Sequence, residues 1–375
     1  MNWQNKIAEQ VSSIPRSGIR EFFDLVTGRT DIISLGVGEP DFVTPWNIRE
    51  AAIYSLEKGH TSYTSNYGLE SLRRSIVKYV EGFFHVKYDP LHEVLVTVGV
   101  SEAIDLALRA VLNPGDEVLY HEPCYVSYAP SVNMAYGVAT AVPTSKQDMF
   151  ALNPAVLEAS ITPRTKVLML NFPTNPTGAV APVETLKEIA RLCIKNDLIV
   201  LTDEIYSELR YDGKPHVSIA TLPGMKERTV VVNGFSKAYA MTGWRLGYAA
   251  APELILKQML KIHQYAIMCA PTTSQYAAVE ALKNGDPDIE EMRTAYNQRR
   301  RFLMNAFREM GLECFEPYGA FYVFPCIKEF GMTSEEFATR FLEEEKVAAV
   351  PGTAFGDSGE GYLSCLLYTS PSPRD

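Results

Sequence analysis

A handful of side chains in this chain have the types needed to hold and work on one small reactive molecule, and nearly all follow short apolar runs. Lys237 offers an amine after Val230, Val231 and Val232. Asp203 offers a carboxylate after the run from Leu198 to Thr202, and Tyr206 and Asn175 add a phenol and an amide. Ser236, Arg245 and the backbone N–H groups of Val100 and Ser101, at an expected helix start, supply donors and positive charge for a phosphate. Arginine suits that task because its planar fork binds two phosphate oxygens, and Tyr125 offers a ring face for stacking. An amine for a Schiff base, a carboxylate to keep a ring nitrogen protonated, and a phosphate cradle together match pyridoxal phosphate. Tyr206 and Asn175 would then hydrogen-bond the ring's 3-oxygen.

Taken singly, each residue has an ordinary use. An aspartate after a strand commonly caps a helix, a lysine there commonly faces solvent, and Asn175-Pro176-Thr177-Gly178 alone reads as a turn. Arg245 alone could pair with a carboxylate, and Tyr125 could be core. Gly36-Val37-Gly38 lacks the third glycine of a dinucleotide loop. Joint occurrence, each at an expected strand end, is what gives the set its meaning. The six cysteines lie far apart without a C-x-x-C pair and the six histidines form no H-x-x-x-H pair, so neither a disulfide framework nor a metal site is expected.

The elements that must position these residues are legible as alternating apolar runs and helical periods. Val94 to Val98 reads as a strand, followed by Ser101 as an N-cap and Ile104, Ala107, Leu108 and Val111 on one helix face, with Asn113-Pro114-Gly115 as the stop. Further strands are expected at Glu117 to Tyr120, Lys166 to Leu170, Leu198 to Thr202, Thr229 to Asn233 and Trp244 to Ala250. They are short and aliphatic, as strands buried on both faces should be. The fold class is therefore α/β with a mostly parallel central sheet flanked by helices. Ligands bind outside the carboxyl ends of such strands, so the polar segments there should converge. Residues 45–271 are expected to form the large domain, and 1–44 with 272–364 a smaller α+β domain built from both chain ends.

Composition bounds the partners. With 375 residues the chain fits about two domains. Hydrophobic residues at 46% and charged residues at 21% exclude wholesale disorder and fibrous repeats. A net charge of −10 without a basic cluster argues against a nucleic-acid partner. Apolar runs fall short of a membrane span, and the first residues lack the pattern of a secretory signal, so a cytoplasmic location is expected.

The segments Ser34-Leu35-Gly36-Val37-Gly38-Glu39-Pro40-Asp41, Asn171 to Gly178, Asp203-Glu204-Ile205-Tyr206, and Ser236-Lys237 through Met241-Thr242-Gly243-Trp244-Arg245-Leu246-Gly247 resemble class I/II aminotransferases of fold type I. Within that family the likeness is to prokaryotic aspartate and aromatic-amino-acid aminotransferases, and it runs from about residue 10 to Leu363. The resemblance implies a ping-pong transfer of an amino group from an amino acid to a 2-oxo acid, with Lys237 as the Schiff-base lysine and proton carrier. It also implies a homodimer in which Tyr63 reaches the neighbouring subunit's phosphate, and a Gly38 backbone and Asn175 that help hold the substrate. A pyridoxal-phosphate C–S β-lyase shares the same cofactor shell and is the alternative. A cofactor-binding regulator would need a DNA-binding domain, and only about ten residues precede the matched region.

One departure stands out. Where the family pattern continues past Gly361-Tyr362-Leu363 with an arginine that clamps the substrate α-carboxylate, position 364 is Ser. The following residues, Cys365 to Asp375, have no helical period and back-translate into a run resembling a sequencing-library transposase adapter. They are expected to be a non-native tail outside the fold, with the small domain incomplete at its C-terminal side. A hydroxyl cannot replace a bidentate guanidinium, so weak substrate binding and low activity are expected even where cofactor binds. The preferred amino acid is left open.

Overall fold

A computed structural model describes residues 3–14, 31–36 and 38–367. Residues 15–30 of the expected small domain, Val37 of the glycine motif and residues 368–375 of the expected tail lie outside the described residues. In chain order the strands are β1 (Ile33–Ser34), β2 (Val94–Thr97), β3 (Glu117–Glu122), β4 (Val138–Pro143), β5 (Thr165–Asn171), β6 (Ile199–Asp203), β7 (Thr229–Gly234) and β8 (Gly247–Ala250). They are followed by β9 (Tyr322–Val323), β10 (Val347–Ala348), β11 (Val350–Pro351) and β12 (Leu363–Leu366).

Seven strands form one sheet in the order β2-β8-β7-β6-β5-β3-β4. Pairings from β4 through β7 are parallel, and β8 runs antiparallel to both β7 and β2. Successive residues of β5 feed opposite faces: Val167 and Met169 pack toward helix Gly99–Val111, while Leu168 and Leu170 pack toward helix Val183–Lys195. Both faces are covered, which explains why these strands read as unbroken apolar runs.

Several expected boundaries shift for identifiable reasons. The helix after β2 begins at Gly99, not at a Ser101 cap, because Gly99 takes a left-handed φ of +76° that turns the chain at once from strand into helix. Strand β8 begins at Gly247, since Thr242–Trp244 form a 3-10 turn and Arg245 is left-handed at φ +51°. Helix Thr272–Asn284 lies beyond the expected large-domain boundary at 271, yet its buried Ala277, Ala278 and Ala281 belong to the large-domain core with Ile48, Leu72 and Ile76. The crossing to the small domain is made along helix Asp286–Glu309, whose Ile289 packs in the large core and whose Met292 and Tyr296 pack in the small one.

The small domain joins β1 in parallel to β10 and holds a second sheet ordered β11-β12-β9. Here the expectation of a tail outside the fold from Cys365 onward differs from the structure. Cys365 and Leu366 pair antiparallel with Val323 and Tyr322 in the central strand, and Leu367 is buried with them. Strand pairing is made by backbone groups, and three successive apolar side chains suit a strand inside this core.

Candidate active site

The sheet register brings the expected residues to one edge. Asn171 pairs with Asp203, Asp203 with Val232, Gly234 with Gly247, and Gly247 with Thr97. The ends of β2, β5, β6 and β7 and the start of β8 thus form one row beneath a cleft of about 880 Å3. Lys237 and Ser236 enter the cleft just past β7, Asp203 and Tyr206 from the end of β6, and Asn175 from the loop after β5. Val100 and Ser101 line it from the start of helix Gly99–Val111, Arg245 from the turn before β8, and Tyr125 from the loop after β3. Gly38 closes it from the N-terminal side. Tyr63 is the exception among the expected residues: it is 80% exposed and does not line this cleft.

One end of the cleft is shaped as an anion cradle by two glycines. A Cβ on Gly99 would sit 2.7 Å from an Arg245 guanidinium nitrogen, and one on Gly247 would sit 2.8 Å from the Val100 backbone nitrogen. Their absence lets β8 back directly onto the helix start, so the Arg245 guanidinium lies beside first-turn N–H groups that have no acceptor within the helix. Arg245 adopts its left-handed backbone here and donates to the Thr242 carbonyl at 3.0 Å, which fixes its stem.

At the other end, burial has pushed two ionisable groups in opposite directions. The Asp203 carboxyl is raised to about 6, burial being the main cause, against the opposing hydrogen bonds from Tyr128 (2.9 Å) and the Ile205 N–H (3.2 Å). The Lys237 amine is lowered to about 8, again by burial, with Glu39 and Asp203 pulling the other way. Asp203 therefore favours folding fully below its unfolded value near 4 and loses that contribution as pH rises through about 6. Lys237 contributes fully above 10.5 and loses it as pH falls through about 8. Near neutrality both sit in their costly charged forms, so the site favours a guest that places a cation beside Asp203 and takes up the lysine amine.

Hydrogen-bond accounting points the same way. The Asn171 side chain is engaged at both ends, donating to the Asp203 carbonyl at 2.9 Å and accepting from the Asn175 N–H at 3.1 Å. The Asn175 side-chain oxygen, by contrast, is buried and has no hydrogen-bond partner among the described residues. A buried amide oxygen in a polar cleft is an acceptor open to a donor on a bound molecule. Lys237 donates to the Gly38 carbonyl at 2.5 Å, and its ammonium lies 5.5 Å from the centre of the Phe321 ring. The donor set, the cradle, the buried carboxylate and the available amine all fit a phosphorylated pyridine aldehyde.

Similarity to known proteins decides the family. The family described as aminotransferase class I and II matches residues 30–366. The chain belongs to the class I and II aminotransferases. It is 46% identical to the aspartate aminotransferase of Pyrococcus abyssi over 97% of this chain and 94% of that protein. It is 44% identical to aromatic-amino-acid aminotransferase 2 of Thermococcus litoralis over the same shares. The aspartate aminotransferase of Thermus thermophilus with maleate superposes with a TM-score of 0.92 at 36% identity, covering 97% of this chain and 95% of that one. As a member of this family, the aminotransferase has the fold-type-I α/β architecture, binds pyridoxal phosphate and transfers amino groups by a ping-pong mechanism.

Residues that the sequence reading passed over also shape this site. Tyr128 donates to Asp203, and Tyr322 shares a hydrogen bond of 2.8 Å with Tyr206. Tyr128 lies three residues beyond Tyr125, which was a usable signal. Tyr322 stands in the Gly319 to Phe324 segment, whose pattern indicates a strand but no chemistry. Ser364 lines the cleft too, at 3% exposure on β12. Among the described residues no cluster of His, Cys, Asp and Glu could hold a metal ion.

Proposed function

We propose that this aminotransferase moves the amino group of an α-amino acid to a 2-oxo acid, with Lys237 as the residue that holds the cofactor and carries the proton. The observation that carries the assignment is the buried amine of Lys237, lowered to about 8, beside a carboxylate raised to about 6. Pyridoxal phosphate, when bound, supplies the electron sink that makes the donor's Cα–H acidic. Lys237 would hold it through its amine and, once freed by the donor, would take and return the Cα proton as general base and acid. Asp203 would keep the ring nitrogen protonated, with Tyr128 donating to its carboxylate at 2.9 Å. The Asn175 side-chain N–H and the Tyr206 hydroxyl would donate to the 3-oxygen, Tyr125 would cover the ring, and Ser236, Arg245 and the Val100 and Ser101 N–H groups would take the phosphate.

The substrate carboxylate lies between Gly38 and position 364. Ser364 offers one neutral hydrogen bond there, where a guanidinium would give two charge-assisted ones, a difference of about 2–5 kcal/mol. The working unit is a homodimer in which Tyr63 of the partner subunit completes the phosphate site. Its support is the exposure of Tyr63 on a loop pinned from below, with Asn66 donating to the Met268 carbonyl at 2.8 Å and Thr272 to the Ser62 carbonyl at 2.9 Å. Exposed Tyr265, Ile267 and Met268 extend that surface.

A panel of amino donors tests the substrate class. Each donor is mixed with the protein and pyridoxal phosphate, and released 2-oxo acid is measured without and with an acceptor. About one equivalent per site without acceptor, and continued turnover with it, is expected. Turnover without any acceptor would overturn the proposal.

A further inference from the structure

We propose that Tyr322 is a positioning residue for Tyr206: its hydroxyl donates to the Tyr206 oxygen and so aims the Tyr206 proton at the cofactor's 3-oxygen. This rests on the proposed role of Tyr206. The two hydroxyls are 2.8 Å apart, and among the described residues neither has another hydrogen-bond partner. Both rings are buried and meet edge to face, at 5.8 Å and 79°. A phenol that donates to an anionic oxygen keeps its own lone pairs open to a separate donor, and Tyr322 is the group placed to be one. Hydrogen bonds in such a chain polarise one another, so a Tyr206 that accepts from Tyr322 is the stronger donor.

Tyr322 is held in place by bonds from both domains. The Ala320 N–H donates to the Leu209 carbonyl at 2.9 Å, and Tyr211 donates to the Ala320 carbonyl. On the other side the Leu367 N–H donates to the Phe321 carbonyl at 2.9 Å, and Leu366 pairs with Tyr322 in the β9–β12 register. Gly38 leaves room for the hydroxyl: a Cβ there would lie 3.0 Å from it. The strand that ends in β12 thus sets the hydroxyl's height above Tyr206, linking the small domain to the electronics of the cofactor site.

Such a donor pair stabilises negative charge on the 3-oxygen, so it lowers the pH at which the lysine-bound cofactor gains its proton. The experiment measures the pH midpoint of the visible absorption band of the protein with bound pyridoxal phosphate, in the wild type, Tyr322→Phe, Tyr206→Phe and the double variant. Tyr322→Phe keeps the ring and its packing. It is expected to raise the midpoint by roughly 0.3 to 1 unit. Tyr206→Phe is expected to raise it further, and adding Tyr322→Phe to that background is expected to change nothing. A midpoint unchanged or lowered by Tyr322→Phe, while Tyr206→Phe still moves it, overturns the positioning role alone. A Tyr322→Phe shift that persists without the Tyr206 hydroxyl does the same. No effect of Tyr206→Phe overturns the inference together with the role assigned to Tyr206.

Discussion

The two walls of the cleft are built differently. The large-domain wall, along the ends of β5, β6 and β7, carries an aspartate, a lysine, an arginine and an orphaned amide oxygen. The small-domain wall presents the neutral Leu35, Tyr322, Ser364 and Leu366 together with the carboxyl of Glu39, and no cation among the described residues. The cations of the cleft are therefore on the large-domain wall, where the cofactor is proposed to sit, while the wall proposed to grip a substrate carboxylate offers hydroxyls, hydrocarbon and the Glu39 carboxyl. Cofactor loading and substrate grip are therefore expected to respond to different substitutions, those on the large-domain wall and at position 364 respectively.

The largest effect should come from the charged wall. Asp203→Asn removes the carboxylate proposed to hold the ring proton, and kcat is expected to fall by about 10²–10³-fold. Cofactor still attached through Lys237 should show the loss to be catalytic. On the small-domain wall, Ser364→Arg is expected to raise kcat/KM for α-amino acids by about tenfold or more while leaving cofactor affinity unchanged. Steady-state kinetics alongside cofactor titration separates the two, and a change confined to cofactor affinity would erase the distinction between the walls. Gly99→Ala pushes a methyl group into the Arg245 guanidinium and strains a left-handed backbone. It should weaken cofactor binding by about tenfold, equivalent to about 1.4 kcal/mol, with substrate KM in the loaded protein unaltered. The smallest effect is one of pH. Because the neutral amine is the nucleophile and Lys237 is lowered to about 8, the rate of cofactor capture should fall by about tenfold per unit below that value and level off above it. Stopped-flow absorbance reads it directly.

Much of the charged wall was legible in the sequence because each residue follows a doubly buried strand, and such strands are unbroken apolar runs that end abruptly. Parallel topology then places those ends together, so Asn175, Asp203 and Lys237 could be grouped before any contact was known. Strand β4 escaped notice because it is an edge strand in which Val142 is the one buried residue. The early helix start at Gly99 escaped because a left-handed glycine, unlike a serine cap, leaves no distinctive side-chain pattern. Tyr128 and Tyr322 meet their partners across 75 and 116 residues of chain. Periodicity reports only which face a residue takes, so such pairs appear once the sheets are assembled. Helix Thr272–Asn284 lies past the expected boundary at 271 yet packs its Ala277, Ala278 and Ala281 with Ile48, Leu72 and Ile76, a contact that alanines, with their weak hydrophobic signal, do not announce in sequence.

Everything proposed for the cleft depends on Lys237 being the amine that holds the cofactor. Incubating the protein with pyridoxal phosphate, reducing with borohydride and locating the added phosphopyridoxyl group by peptide mass spectrometry tests it most directly. Stoichiometric label on Lys237, and its loss in Lys237→Ala, are expected. Label on a different lysine, or none at saturating cofactor, would contradict it.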